Sequence, residues 1–232
     1  EQKVPLGYIP AGSTNDFANS LGIPKDMVKA AAVAVGEERF ACDIGDFNGD
    51  SFVYVAAFGL FTEVSYKTPQ NLKNILGHAA YILEGAKRLH DIPSYLMQVE
   101  YDNVRLQDEF IYGMITNSIS VGGFKGMTGK DVLLDDGVFE VTLIKKPKNP
   151  IELNAILASL TNLIDDTDLI YSFKTDRVHF NCKTVIPWTL DGEFGGDHQE
   201  VTVTNLHRAL ELKVDHVEAK VSEKTTEKIE EK

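Results

Sequence analysis

Residues 40–58, FACDIGDFNGDSFVYVAAF, are the stretch on which the fold turns. The type I′ two-residue hairpin loop needs positive φ at both central positions, and Asn48-Gly49 tolerates that at little steric cost. The runs Phe40 to Asp46 and Ser51 to Phe58 flank it. Together they predict an antiparallel hairpin.

Working outward, the N-terminal side has a different texture. Val4 to Ile9 reads as a short strand, Pro10 to Ser13 as a turn, and about Asn15 to Leu21 as a short helix stopped by Gly22 and Pro24. A second helix is predicted around Lys25 to Val35, with Pro24 near its first turn. A lone strand cannot make a sheet, so this opening reads as the end of an α/β unit whose other strands lie elsewhere.

On the C-terminal side strands dominate. A helix is predicted over Asn74 to Leu89, where Ile75, Ala79, Ile82, Ala86 and Leu89 repeat at helical spacing. Strands follow at Tyr95 to Tyr101, Val104 to Gln107, Phe110 to Asn117 and Val138 to Lys145, with Asp102-Asn103 as a tight turn. Pro150 to Ile164 fits a helix. Four more strands are predicted at Leu169 to Phe180, Thr184 to Phe194, Glu200 to Asn205 and Ala209 to Val214. The fold class is therefore α+β: a truncated α/β stub over residues 1–37, then a larger β-rich, sandwich-like domain with two helices over 38–214. The charged stretch 215–232 reads as a solvated helix or a disordered tail.

Composition narrows the function. At 232 residues, 43% hydrophobic and 25% charged, the chain has enough apolar side chains for a substantial core. A formal net charge of -12 argues against nucleic acid as a partner, because a polyanion needs clustered Lys and Arg. The apolar run Phe52 to Phe61 is too short to span a bilayer, so no transmembrane segment is expected. The chain opens at Glu1 with no recognisable signal peptide. Cys42 and Cys182, without metal-ligand spacing, read as two buried thiols of a reduced cytosolic protein, with a single disulfide as the alternative.

Three stretches carry chemistry. In Pro10-Ala11-Gly12-Ser13-Thr14-Asn15-Asp16-Phe17-Ala18 a strand gives way to a helix start, whose free N–H groups suit a phosphate; a plain helix cap is the alternative. In Leu133-Leu134-Asp135-Asp136-Gly137-Val138 a simple turn competes with a hard-cation site. There Asp136 would supply a carboxylate, and bent backbone at Leu133 and Val138 would supply carbonyls. In Trp188-Thr189-Leu190-Asp191-Gly192-Glu193-Phe194, strand alternation would put Asp191 and Glu193 on one face. Their repulsion would raise one pKa towards that of a general base. An Asp-Gly turn between two strands is the alternative. The six histidines share no spacing, and Gly122-Gly123 is a loop that can bring backbone near a ligand.

The order of these motifs, with Asn117 and Gly122-Gly123 between the first and second, resembles the diacylglycerol kinase catalytic-domain family, and within it the soluble bacterial lipid kinases. The resemblance extends to about Val214. It implies ATP-dependent phosphorylation of a lipid hydroxyl with Mg²⁺, in a cleft between an N-terminal α/β nucleotide domain and a β-rich domain. By matched position, Ser13 falls where the family has an ATP-contacting Thr, with Gly12, Thr14 and Asn15 beside it. Asp16 falls on the active-site Asp, Glu193 on the proton acceptor with Asp191 beside it, and Leu133, Asp136 and Val138 on a structural Mg²⁺ site. The stub 1–37 then reads as the remnant of the nucleotide domain. The family's Gly-Gly-Asp-Gly-Thr phosphate loop does not occur here and is expected upstream of residue 1, so the fragment alone is expected to be inactive. The implied partner is a lipid substrate at the membrane surface, met by a cytoplasmic protein in peripheral contact, with a homodimer left open. Two other readings stand beside it: a kinase for a soluble hydroxylated substrate such as NAD, and a non-catalytic lipid-binding or regulatory module. Glycoside hydrolysis is disfavoured, because two acids on one strand cannot flank a sugar bond.

Overall fold

The computed structural model describes residues 4–12, 14–60, 92–123, 128, 131–160 and 167–215. The helix expected over 74–89, the charged tail from residue 216 and Ser13 lie outside them. What is described is α+β.

The hairpin closes as expected. β1 (Arg39–Phe47) and β2 (Asp50–Phe52) pair antiparallel through Asn48 and Gly49, at φ 52° and 98°. Positive φ at both positions matches the loop to the right-handed twist of the strands. The run predicted as one strand over Ser51 to Phe58 is instead two, because the chain bends at Val53-Tyr54 before β3 (Val55–Gly59). At that bend the chain leaves β1 and takes new partners.

β4 (Tyr95–Tyr101) turns at Asp102-Asn103 into β5 (Val104–Thr116), which runs through the break predicted after Gln107. β6 (Phe139–Lys145) and β7 (Ile170–Thr175) follow, with a helix between them. β8 (Arg177–Leu190) merges two predicted strands, and β9 (Glu193–Lys213) merges the last two. All are joined in one nine-stranded sheet among the described residues, in the order β2-β1-β9-β8-β3-β5-β6-β7, with β4 pairing both β5 and β8. The strand ladders are antiparallel. Between the long strands β5 and β8, β3 fills one end and β4 the other. The strands form one continuous hydrogen-bonded sheet that closes over a shared core, so that Phe52 of β2 and Phe139 of β6, far apart in the strand order, meet at 5.6 Å.

The main core is aromatic. Trp188 contacts Phe47, Phe58 and Phe180 at centroid distances of 5.1, 4.8 and 5.4 Å, and all four are buried. Such tilted and edge-on pairs add to the apolar burial that holds the sheet together. A separate cluster joins Phe17, Ala18, Leu21 and Ala30 from the first two helices to Cys42, Leu134 and Leu212. These helices, α1 (Asp16–Ser20) and α2 (Met27–Ala34), therefore pack where β1 and β9 meet. The segment predicted as a strand at Val4 to Ile9 reduces to one parallel bridge, Leu6 with Leu212, because only Leu6 reaches the β9 backbone there. Cys42 and Cys182 are both free and buried.

α3 (Pro150–Leu160) starts at a cap visible in the sequence only as Asn-Pro. Asn149 Oδ1 accepts from the N–H groups of Ile151 and Glu152, both at 3.0 Å, while Glu152 accepts from Lys148 N–H at 2.7 Å. This reciprocal arrangement satisfies amides that the helix cannot. Asn149→Ala is expected to cost about 1 kcal/mol, read as an earlier urea midpoint with an unchanged slope.

Candidate active site

Asp16 is the first residue of α1, 4% exposed, and its carboxylate is met from three sides. Ser120 Oγ donates to Oδ1 at 2.5 Å, Tyr54 Oη donates to Oδ2 at 3.1 Å, and Gly123 N–H donates to both oxygens at 3.2 and 3.1 Å. Gly122 and Gly123, at φ 60° and 84°, adopt a conformation that favours glycine. Gly122 N–H donates to Tyr54 Oη at 3.0 Å. The glycine pair singled out in the sequence thus brings backbone to an acidic side chain.

The loop before α1 closes on itself. Asn15 sits in the left-handed region, at φ 54°, and its Oδ1 accepts from Gly12 N–H at 2.8 Å. The Gly12 amide is therefore engaged within the loop itself. Thr14 and Asn15 face the cleft described below.

Asp191 and Gly192 form the two-residue turn between β8 and β9, at φ 52° and 91°, with Leu190 paired to Glu193. The shared strand face predicted for Asp191 and Glu193 does not exist, because the chain reverses between them. An Asp-Gly pair satisfies the positive φ of such a loop, and that preference outweighs strand alternation here. The Asp191 carboxylate folds back onto the bend of the first hairpin. It accepts from the N–H groups of Val53 at 2.9 Å, Tyr54 at 2.8 Å and Val55 at 3.0 Å. These are the amides freed where the predicted strand 51–58 breaks. Burial of that carboxylate raises the Asp191 pKa, opposed by the three amides. Glu193 is exposed at the start of β9.

Asp16 and Asp191 line one cleft of about 430 Å³, with Leu6, Tyr8, Phe17, Val53, Tyr54 and Leu212 among its other walls. Glu193 is not among the lining residues. Burial, and then the Asp191 charge, push the Tyr8 phenol up.

The Leu133–Val138 turn is held elsewhere in the molecule. Asp136 Oδ1 accepts from Val138 N–H at 3.2 Å, and Lys174 Nζ lies 3.9 Å from Oδ2. The same ammonium is 3.0 Å from Glu140, whose carboxyl burial pushes up to about 7, and donates to the Asp131 carbonyl at 2.7 Å. Among the described residues no three His, Cys, Asp or Glu side chains gather to hold a metal. A hard cation here would rest on Asp136, backbone carbonyls and water, a donor set that suits Mg²⁺.

Two residues escaped the sequence reading. Tyr54 touches both the Asp16 and Asp191 sites. Asp43, with no exposure, accepts from Gly137 N–H at 2.7 Å, Arg208 N–H at 2.7 Å, His207 Nδ1 at 3.1 Å and Asn205 Nδ2 at 3.2 Å. Its backbone is tied as firmly, its N–H to Leu134 O and its carbonyl to Asn117 Nδ2. The signal for Asp43 was an acid at an inward position between Cys42 and Ile44, where an unpaired charge is costly.

Residues 1–47 match the family model for the diacylglycerol kinase catalytic domain. The chain is 37% identical over 198 residues to a diacylglycerol kinase of Bacillus subtilis, covering 84% of this chain and 65% of that protein. It is 34% identical over 209 residues to one of Staphylococcus haemolyticus, covering 89% and 62%. The chain thus spans less than two thirds of the length of these curated relatives. A crystal structure of a diacylglycerol kinase from Bacillus anthracis has a TM-score of 0.63 at 19% identity, covering 89% of this chain and 65% of that one. At that identity the likeness shows the fold alone. By these sequence relationships the chain is similar to diacylglycerol kinases over most of its length, and its first 47 residues match the catalytic-domain family model.

Proposed function

We propose that the protein transfers the γ-phosphoryl group of ATP to a lipid hydroxyl of the diacylglycerol class. The observation that supports this best is the meeting of Asp16 and Asp191 in one cleft with apolar walls. Such transfers need little covalent chemistry from the protein, and catalysis rests on positioning and charge neutralisation. The lipid O–H bond breaks as its oxygen bonds to the γ-phosphorus, the bond to the β-phosphate oxygen breaks, and ADP leaves. Glu193 takes the hydroxyl proton late in that transfer. Asp16 orients groups within the cleft, and Asp191, with three amides to hold, fixes the hairpin that presents Glu193.

Ser13, Thr14 and Asn15 would meet the nucleotide beside Gly12. A structural Mg²⁺ would be held by Asp136 and the carbonyls of Leu133 and Val138. A magnesium ion at the phosphates would supply neutralisation of their charge. The substrate places the enzyme at a membrane surface, in peripheral contact from the cytoplasm; no described helix is long and apolar enough to cross a membrane. A homodimer is part of the same proposal.

The test is transfer from labelled ATP by the full-length protein, with diacylglycerol in mixed micelles and NAD as the competing acceptor. Label in phosphatidic acid is the expected result. Label only in NAD would replace the lipid reading with the soluble-substrate one, and lipid binding without transfer would make the protein a binding module.

A further inference from the structure

We propose that Tyr54 is a positioning residue of this active site, acting through Asp16 and the Gly122-Gly123 backbone. Tyr54 was not singled out by any motif, yet each of its polar atoms is committed to a piece of the site. Its hydroxyl donates to Asp16 Oδ2 at 3.1 Å and accepts from Gly122 N–H at 3.0 Å. Its amide donates to Asp191 Oδ1 at 2.8 Å. Its carbonyl accepts from Thr116 Oγ1 at 2.8 Å and from Asn117 N–H at 3.1 Å. One residue thus joins α1, the β8–β9 turn, the end of β5 and the glycine loop.

The geometry favours positioning over simple packing. A packing tyrosine needs one partner for its hydroxyl. Here the hydroxyl donates to one element and accepts from another, so it fixes the distance between the Asp16 carboxylate and the 122–123 backbone. Gly123 N–H then completes the loop by donating to the same carboxylate. Burial, and then the Asp16 charge, push the phenol far above its ordinary value, so it stays a donor across the working pH range. An Asp16 side chain with one donor removed has rotamers open to it that the present arrangement excludes.

The kinetic arm of the test rests on the lipid kinase reading; the other arm does not. In the full-length protein, Tyr54→Phe keeps the ring and removes the hydroxyl. A roughly tenfold to hundredfold fall in kcat is expected, in line with one hydrogen bond to a charged group. If Tyr54 acts through Asp16, adding Tyr54→Phe to Asp16→Asn slows the enzyme by no more than about twofold further. Multiplying single effects would overturn the proposal.

Amide hydrogen exchange reads the same device without turnover. Tyr54→Phe is expected to speed exchange at Gly122, which loses its acceptor, and also at Gly123, whose acceptor is Asp16 itself. Faster exchange at Gly122 alone would reduce Tyr54 to a local contact and sink the idea. Should Tyr54→Phe fail to fold, the unsubstituted protein still decides. Its Tyr54 hydroxyl proton is expected as a slowly exchanging NMR resonance close to the Gly122 amide, and its absence counts against the proposal. If the unsubstituted protein transfers no phosphate to diacylglycerol, the functional reading fails while the exchange experiments judge Tyr54 separately.

Discussion

Glu193→Gln is expected to lower the rate of phosphoryl transfer to diacylglycerol roughly 10²-fold or more, the usual loss when a general base is removed. The substitution keeps the size of the side chain and its place opposite Leu190 in the β8–β9 register. Glu193 is exposed, and none of the described hydrogen bonds or ion pairs depends on it, so the melting temperature should stay close to that of the parent. Steady-state assays with labelled ATP separate the possibilities. A fall in kcat with little change in KM for ATP or lipid is the signature of a group acting only in the chemical step. Near-parental turnover would remove Glu193 from the mechanism.

The contrast with Asp191 sharpens this test. Asp191 holds Val53, Tyr54 and Val55 by their amides, so removing its carboxylate leaves three backbone donors without their acceptor. Asp191→Ala should therefore lower stability and activity together, whereas Glu193→Gln lowers activity alone. Two acids two residues apart, read from the sequence as a matched pair, thus part into different kinds of residue. The reason is the turn between them. With Asp191 and Gly192 both at positive φ, strand alternation stops applying, and Asp191 binds the 53–55 amides while Glu193 stays exposed.

The legible parts of the fold were those set by local chemistry. Asn48-Gly49 announced its hairpin because few residue pairs accept that backbone, and Asp102-Asn103, with positive φ at Asp102 alone, closed a second one between β4 and β5. What escaped was set by partners far along the chain. The run 51–58 is apolar enough for one strand, and it breaks because a carboxylate more than 130 residues later captures the amides at the bend. Tyr54 looked like one aromatic among several in a strand; its role depends on Asp16, Gly122 and Asp191 meeting around it. The short motifs marked Asp16 and Gly122-Gly123 but could not say that one binds the other.

Asp43→Ala is expected to destabilise the protein by roughly 3–5 kcal/mol, because several buried donors lose their shared acceptor at about 1–3 kcal/mol each. Four donors converge on this one carboxylate, and at no exposure water cannot replace it. The loss reaches beyond β1. Cys42 pairs with Leu210 and Ile44 with Leu206, so β9 bulges at residues 207–209, and Arg208 there adopts a φ of 49°. Asp43 supports that bulge through His207 and Arg208, and through Gly137 it ties the bulge to the 133–138 turn. Asp43→Asn keeps the shape but turns one acceptor into a donor facing other donors, so a smaller loss of the same sign is expected. Urea unfolding of both variants at neutral pH reads these costs. A loss below about 1 kcal/mol for Asp43→Ala would mean the network does not hold the bulge. Because Gly137 lies inside the turn proposed to hold Mg²⁺, both variants should also gain less thermal stability than the parent when Mg²⁺ is added. Equal gains would uncouple Asp43 from that turn.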